Sequence, residues 1–377
     1  MKVAQILYFS ILSLALVSVG CGKDSSFSLL DDQDTFQQSD STVNSKVDIL
    51  WVIDNSGSME TSQNNVISNL NSFIQDFSSK NLDFKMAVTT TDAYRVQYTG
   101  NSNCSKFRDG IRNSSCNTVN GRPYSGIPVM DSLTANLQSV FLINASLTDS
   151  NANIYGSGDE RAFQSMKAAL DENLNSGFLR TDSFLSVIIV SDEEDFSQNG
   201  SSLNENYNNP GLHTVQSYVN YLDNLTSSTP TNRRYNVNAM AIFDETCRAS
   251  LNSTFTGRKI GLRYASLVDS VNTAHPSSET QGLKTSLCGN FAQDLNLIAS
   301  NILTLANRFS LNRLPIPETI AVIVNGVSVP HKDSNPSNDG GWIYEASTNS
   351  ILFIGNGYIP PSGASIRVTY DPVGYGV

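Results

Sequence analysis

Basic side chains and histidine are scarce in this sequence. Of its 377 residues, 24 are Lys or Arg against 35 Asp or Glu, only three are His, and the formal net charge is −11. A surface for phosphate backbones needs clustered Lys and Arg; none occurs, so nucleic acid is not expected as a partner. His213, His275 and His331 are scattered and form no His-Glu-x-x-His pair, and no Gly-x-Ser-x-Gly elbow appears. Metalloprotease and serine-hydrolase readings therefore lack their machinery, and each histidine is expected in a loop or at the surface. The two tryptophans, Trp51 and Trp342, read as packing residues. The five cysteines show no C-x-x-C spacing, which argues against a zinc or thiol redox site.

The N-terminus carries an early Lys2, an apolar run from Ile6 to Val19, then Gly20-Cys21-Gly22-Lys23-Asp24. The run is too short to span a bilayer, and the pattern is that of a secretion signal. Val19, Gly20 and Cys21 fit a bacterial lipoprotein cleavage site, although Ser18 stands where leucine is usual; the plainer alternative is ordinary secretion with cleavage nearby. Residues 1–20 are read as the signal, Cys21 as the acylated first residue, and the product as a lipid-tethered, outer-membrane protein of the cell envelope. Residues 21–45, rich in Ser, Asp and Gln, are expected to be a flexible tether. In an oxidising compartment the economical disulfides are Cys104 with Cys116 and Cys247 with Cys288.

At Lys46 the texture changes. Val47 to Ile53 is a β-branched apolar run broken once by Asp48, the pattern of a strand buried on both faces. Val66, Leu70, Phe73, Ile74 and Phe77 recur at helical spacing. Further strands are expected at 84–90, 184–190 and 237–243. Helices are expected around Ala162 to Leu170, around Tyr218 to Leu225 and from about Phe291 to Ala306. Alternation of this kind predicts an α/β domain over 46–312, a doubly wound, mostly parallel sheet whose ligand site lies at the carboxyl ends of its strands. Residues 93–155 read as a polar insertion carrying one disulfide and a variable surface. Residues 313–377 read as a small, sandwich-like all-β domain, with a hairpin turning at Asn325-Gly326 and short strands at 351–354 and 366–370.

The first strand runs directly into Asp54-Asn55-Ser56-Gly57-Ser58-Met59, and the strand at 184–190 into Ser191-Asp192-Glu193-Glu194-Asp195. One carboxylate and two hydroxyls spaced two apart in a turn can face one hard cation, and Asp192 would sit beside them if the two strands are neighbours. Four acids in a loop can also be merely solvated, yet a buried apolar run rarely ends so acidically without a cation. Gly156-Ser157-Gly158 lacks the third glycine and the preceding strand of a dinucleotide-binding turn.

On these motifs, with Thr89-Thr90-Thr91-Asp92, Gly156 to Glu160 and Gly177-Phe178-Leu179-Arg180, the chain resembles the von Willebrand factor type A (vWA) family over roughly residues 46 to 310, and within it bacterial exported lipoproteins. The resemblance implies a metal-ion-dependent adhesion site: an Asp-x-Ser-x-Ser loop, a middle-loop threonine, and an aspartate after the fourth strand. Such a site binds Mg2+ and leaves one position open for a partner's carboxylate. Asp54, Ser56, Ser58 and Asp192 match. The threonine does not, and Ser157 or Asp159 is the expected replacement, with Thr90, Thr91 or Asp92 as substitutes from the adjacent strand and Glu193 and Asp195 as surrounding groups. The departure leaves Mg2+, Mn2+ and Ca2+ all open. The function implied is that of a lipid-anchored adhesion protein rather than an enzyme, recognising an acidic residue of a protein partner through the cation. An accessory or scaffold role in an envelope machinery, or a structural protein stabilised by the ion, are the alternatives.

Overall fold

The computed structural model describes residues 36–37, 41–42, 46–59, 62, 69–70, 73–74, 77, 83–113, 115–146, 156–181, 183–229, 233–253, 258–273, 281–306, 308–346, 349–355, 357–360 and 364–374. Strands are numbered in chain order: β1 Phe36–Gln37, β2 Ser41–Thr42, β3 Lys46–Ile53, β4 Asp83–Thr90, β5 Val129–Asp131, β6 Phe184–Val190, β7 Tyr235–Ala241 and β8 Lys284–Ser286. They continue with β9 Arg308–Ser310, β10 Ala321–Val324, β11 Val327–Val329, β12 Gly341–Glu345, β13 Ser350–Ile354 and β14 Ser365–Tyr370.

The larger sheet has six strands in the order β5-β4-β3-β6-β7-β8, with β5 antiparallel to β4 and the other pairings parallel. The expected doubly wound α/β class is what the chain adopts. Counted from β3, the order is 3-2-1-4-5-6, so the chain leaves β3 toward β4 on one side and returns to β6 on the other. Their carboxyl ends part there, and a crevice opens at the switch point.

Alternation along β3 explains the burial of both faces. Val47, Ile49, Trp51 and Ile53 pack into one core with Phe73, Phe77, Phe141 and residues of the helix Phe291–Ala306. Leu50 and Val52 face the opposite core, where Phe163, Met166, Tyr218 and Tyr264 come from the helices Ala162–Asp171, Val215–Leu225 and Leu262–Asn272. Trp51 is fully buried, with edge contacts to Phe73 and Phe141. Asp48, which breaks the apolar run, is also fully buried. Arg180 offsets that cost, donating from its backbone N–H and from Nε to the two carboxylate oxygens at 2.7 and 2.8 Å, while Ser183 Oγ adds a bond of 2.6 Å.

The 93–155 insertion is more than a polar surface. It contributes the edge strand β5 and the helix Leu137–Ala145, whose Val140, Phe141 and Ala145 enter the core. Sequence periodicity also missed the helices Glu245–Asn252 and Leu262–Asn272 and the three-residue β8.

Two small antiparallel sheets, β1-β14-β10-β11 with β2 also on β14, and β12-β13-β9, enclose a separate core that includes Trp342, Ile351, Phe353, Ile366, Val368 and Tyr370. The β10–β11 hairpin turns at Asn325 (φ 49°) and Gly326 (φ 82°), the double positive-φ turn that Asn-Gly tolerates. The sandwich starts at β9, a few residues before 313. Part of the 21–45 tether also belongs to it: Phe36 pairs with Tyr370 and Ser41 with Ile366, which corrects the expectation of an unstructured linker. The signal residues 1–20 and Cys21 lie outside the described residues. Among those described, no helix is long and apolar enough to cross a membrane.

Candidate metal centre

Three strands deliver the site, because β4, β3 and β6 are neighbours and end side by side. The parallel ladder runs one step past β3, with Asp54 N–H bonded to Val190 O at 2.8 Å, and the chain then turns sharply. Asp54 Oδ1 accepts from Ser56 N–H at 2.9 Å and closes the turn, while Oδ2 accepts from Ser191 Oγ at 2.6 Å. Ser56 Oγ and Ser58 Oγ lie 2.8 Å apart, and Ser58 Oγ donates to Asp192 Oδ1 at 2.8 Å. Asp54, Ser56, Ser58 and Asp192 thus form one continuous buried chain of oxygens.

The second loop acts through Asn55. Thr91 Oγ1 donates to Asn55 Oδ1 at 3.2 Å, and Asn55 Nδ2 donates to Asp92 Oδ2 at 3.1 Å, so Thr91 and Asp92 hold the first loop rather than face its oxygens. Thr90 is buried beside Asn55. Asp92 Oδ1 is buried with no hydrogen-bond partner.

The middle loop corrects the expectation. Gly156 approaches so closely that a Cβ there would sit 1.7 Å from Asn55 O, which accounts for glycine without any phosphate. Ser157 Oγ accepts from Asp159 N–H within its own loop. Asp159 takes a two-pronged ion pair from Arg161, with bonds of 2.9 and 2.8 Å, and a bond from Tyr94 Oη at 2.9 Å. Neither Ser157 nor Asp159 joins the Asp54 group. Glu160 does: it is 3% exposed, its Oε1 has no hydrogen-bond partner, and its carboxyl interacts electrostatically with those of Asp54, Glu193 and Asp192. The sequence signal was its adjacency to Asp159; which of the two faces inward depends on Arg161 capturing the other.

Of the outer groups, Glu193 reaches the cluster, but Asp195 does not. Asp195 accepts from Phe163 N–H at 3.0 Å at the start of the helix Ala162–Asp171 and pairs with Arg263 at 3.2 Å. A residue with no sequence signal completes the site. Arg258, in an irregular stretch between two helices, is buried and donates through Nε to Asp192 Oδ2 at 2.5 Å and through Nη2 to the Ser58 carbonyl.

Burial, then the neighbouring Asp192 charge, pushes Asp54 up to about 7. Burial and the Asp54 and Asp192 charges push Glu193 up to about 8, and Glu160 is driven upward by the same causes. The donors are all hard oxygens, with carboxylates and hydroxyls and no sulfur or imidazole, and they carry negative charge in excess of what Arg258 offsets. That set fits Mg2+, Mn2+ or Ca2+.

No family model matches the chain, and no curated protein is similar to it. Among solved structures it aligns with the pilus adhesin SpaC of Lactobacillus rhamnosus GG at 10% identity and a TM-score of 0.37, covering 86% of this chain and 38% of that one. It aligns with the pilus adhesin RrgA of Streptococcus pneumoniae at 9% and 0.31, covering 90% of this chain and 59% of that one. A von Willebrand factor type A structure from Catenulispora acidiphila aligns at 8% and 0.35, covering 88% and 59%. The chain therefore spans well under two thirds of the length of these proteins. Likenesses this distant say nothing of site or activity, and the fold rests on the chain's own strand order.

Proposed function

We propose that this chain is an adhesion-type binding protein of the cell envelope that holds a divalent cation, Mg2+ in the first instance, and offers it to an acidic residue of a protein partner. What carries the reading is the convergence of Asp54, Ser56, Ser58 and Asp192 at the switch point of the sheet. Asp54 and the two serine hydroxyls would supply the oxygens, Asp192 would orient the Ser58 hydroxyl, and Glu160 would take the part that the resemblance gives to a middle-loop threonine. When bound, the cation supplies positive charge and an open position for a partner's carboxylate. The Ser191 and Ser58 hydroxyls donate to Asp54 and Asp192 and complete an oxygen set suited to holding an ion, and the reading is one of binding. Cys21 and its acyl chains would hold the protein at the outer membrane.

Calorimetric titration of the purified chain with Mg2+, Mn2+ and Ca2+ tests the site. Saturable binding is expected, with the crevice equivalent lost in Asp54→Ala, and no binding of any of the three ions would end the reading. Pull-down from envelope extracts with and without chelator tests the partner. Partner capture that survives chelation would leave the ion a structural role only.

A further inference from the structure

We propose a second divalent-cation site beside the first, formed by the carboxylates of Glu160, Glu193 and Glu205. One oxygen from each lies within 4.8 Å of the other two, and neither Asp54 nor Asp192 belongs to this group. They come from two places: Glu160 from the middle loop ahead of the helix Ala162–Asp171, and Glu193 and Glu205 from the loop between β6 and the helix Val215–Leu225. Glu160 is brought to the other two by the fold rather than by chain connectivity, which places three carboxyl groups at ligand spacing.

Glu160 turns this cluster into a site. It is 3% exposed and its Oε1 has no partner, a state that costs on the order of 1–3 kcal/mol for a buried polar atom and more for a charged one. Lys259 pairs with Glu205 and its charge acts on Glu193, so a cation there would displace a lysine that is 34% exposed and makes no hydrogen bond with Glu160 or Glu193 among the described residues. Three glutamates with water completing the shell suit Ca2+, which takes six to eight oxygens at flexible angles and accepts bidentate carboxylates. Zinc, which favours Cys and His, does not fit the donors. Glu160 has two carboxyl oxygens, so it would be available to both ions. The proposal rests on the reading of the Asp54 crevice through Glu160 and Glu193, which both groups share.

The test is stoichiometry. Ca2+ is titrated calorimetrically into the purified chain, into Asp54→Ala, and into the double variant Glu193→Gln, Glu205→Gln. Two equivalents are expected in the unsubstituted chain and one in each variant. One equivalent that survives Asp54→Ala and vanishes in the glutamine variant would keep this site and remove the crevice reading. One equivalent lost in both variants would mean a single shared ion and would overturn the proposal, as would no binding, or two equivalents unaffected by the glutamine substitutions. Melting in chelator serves as the folding control, since glutamine removes repulsion and should not lower the midpoint. If the double variant fails that control, Glu205→Gln alone, at an exposed position, replaces it and should weaken the second equivalent at least tenfold.

Discussion

Arg258 Nε donates to Asp192 Oδ2 at 2.5 Å, and neither side chain reaches solvent. The protein thus carries its own cation on one carboxylate of the site, while Asp54, Glu160 and Glu193 keep no cation within pairing distance among the described residues. A guanidinium on Oδ2 leaves Oδ1 for the Ser58 hydroxyl, so Asp192 would act on a bound ion through Ser58.

Removing this guanidinium by Arg258→Met should destabilise the metal-free chain by roughly 3–5 kcal/mol, the usual cost of leaving one member of a buried ion pair alone. Added Mg2+ should recover more stability in this variant than in the unsubstituted chain, because one competing positive charge has gone. Urea unfolding in chelator and in Mg2+ checks both. Equal recovery in the two proteins would show that Arg258 does not compete with the ion.

Stability of the metal-free chain should fall as pH rises from about 4.5 to 8. Folded pKa values raised above the unfolded ones mean that the native state binds more protons across this window, so their stabilisation is complete below the unfolded value of 4.5 for Glu193 and is lost as pH passes about 7 for Asp54 and about 8 for Glu193. Saturating divalent cation, which binds the deprotonated carboxylates, should flatten or reverse the slope. Urea midpoints at several pH values in chelator and in cation measure it, and a rising slope in chelator would contradict the electrostatics of the site.

Arg180→Ala should cost roughly 3–5 kcal/mol by stranding Asp48, which is buried and bonded to Arg180. Asp48 lies in the amino-terminal half of β3 and Arg180 ahead of β6, at the end of the sheet away from Asp54, so cation affinity should not change. Unfolding and titration of the same preparation separate the two effects.

The two disulfides, Cys104–Cys116 and Cys247–Cys288, are formed in the structure as expected. Replacing the second pair by serine should lower stability by roughly 2–4 kcal/mol. It should also loosen the helix Glu245–Asn252, whose Leu251 carbonyl accepts from Arg258, so cation binding should change with it. Reduction that leaves cation affinity untouched would uncouple the bridge from the site.

Cys21→Ser should move the protein from the membrane to the soluble exported fraction. Fractionation of cells expressing each form decides it, and unchanged membrane association would remove the lipid anchor.

Local pattern was enough to find β3, β4, β6 and β7, because a strand buried on both faces must be apolar throughout whatever surrounds it. The same holds for Asp54, Ser56 and Ser58, which share one turn and whose relation is therefore written in spacing. The Asn325-Gly326 turn was equally legible, since backbone conformation there is a property of two adjacent residues. Short or weakly amphipathic elements such as β8 and the helix Glu245–Asn252 escaped, as their order comes from packing and from a disulfide rather than from their own periodicity.

Asp159 and Glu160 show where tertiary structure takes over. They are adjacent acids in one loop, and no rule of composition or spacing separates them. Arg161 and Tyr94 take Asp159 out of the site, while Glu160 is brought to ligand spacing with Glu193. Arg258 is a plainer case: it lies 66 residues from Asp192 in sequence, and the bond between them exists only because the crossovers after β6 and β7 return to the same crevice. Residue type and short-range order decided which chemistry the chain can perform, and long-range packing decided which of two chemically equal side chains performs it.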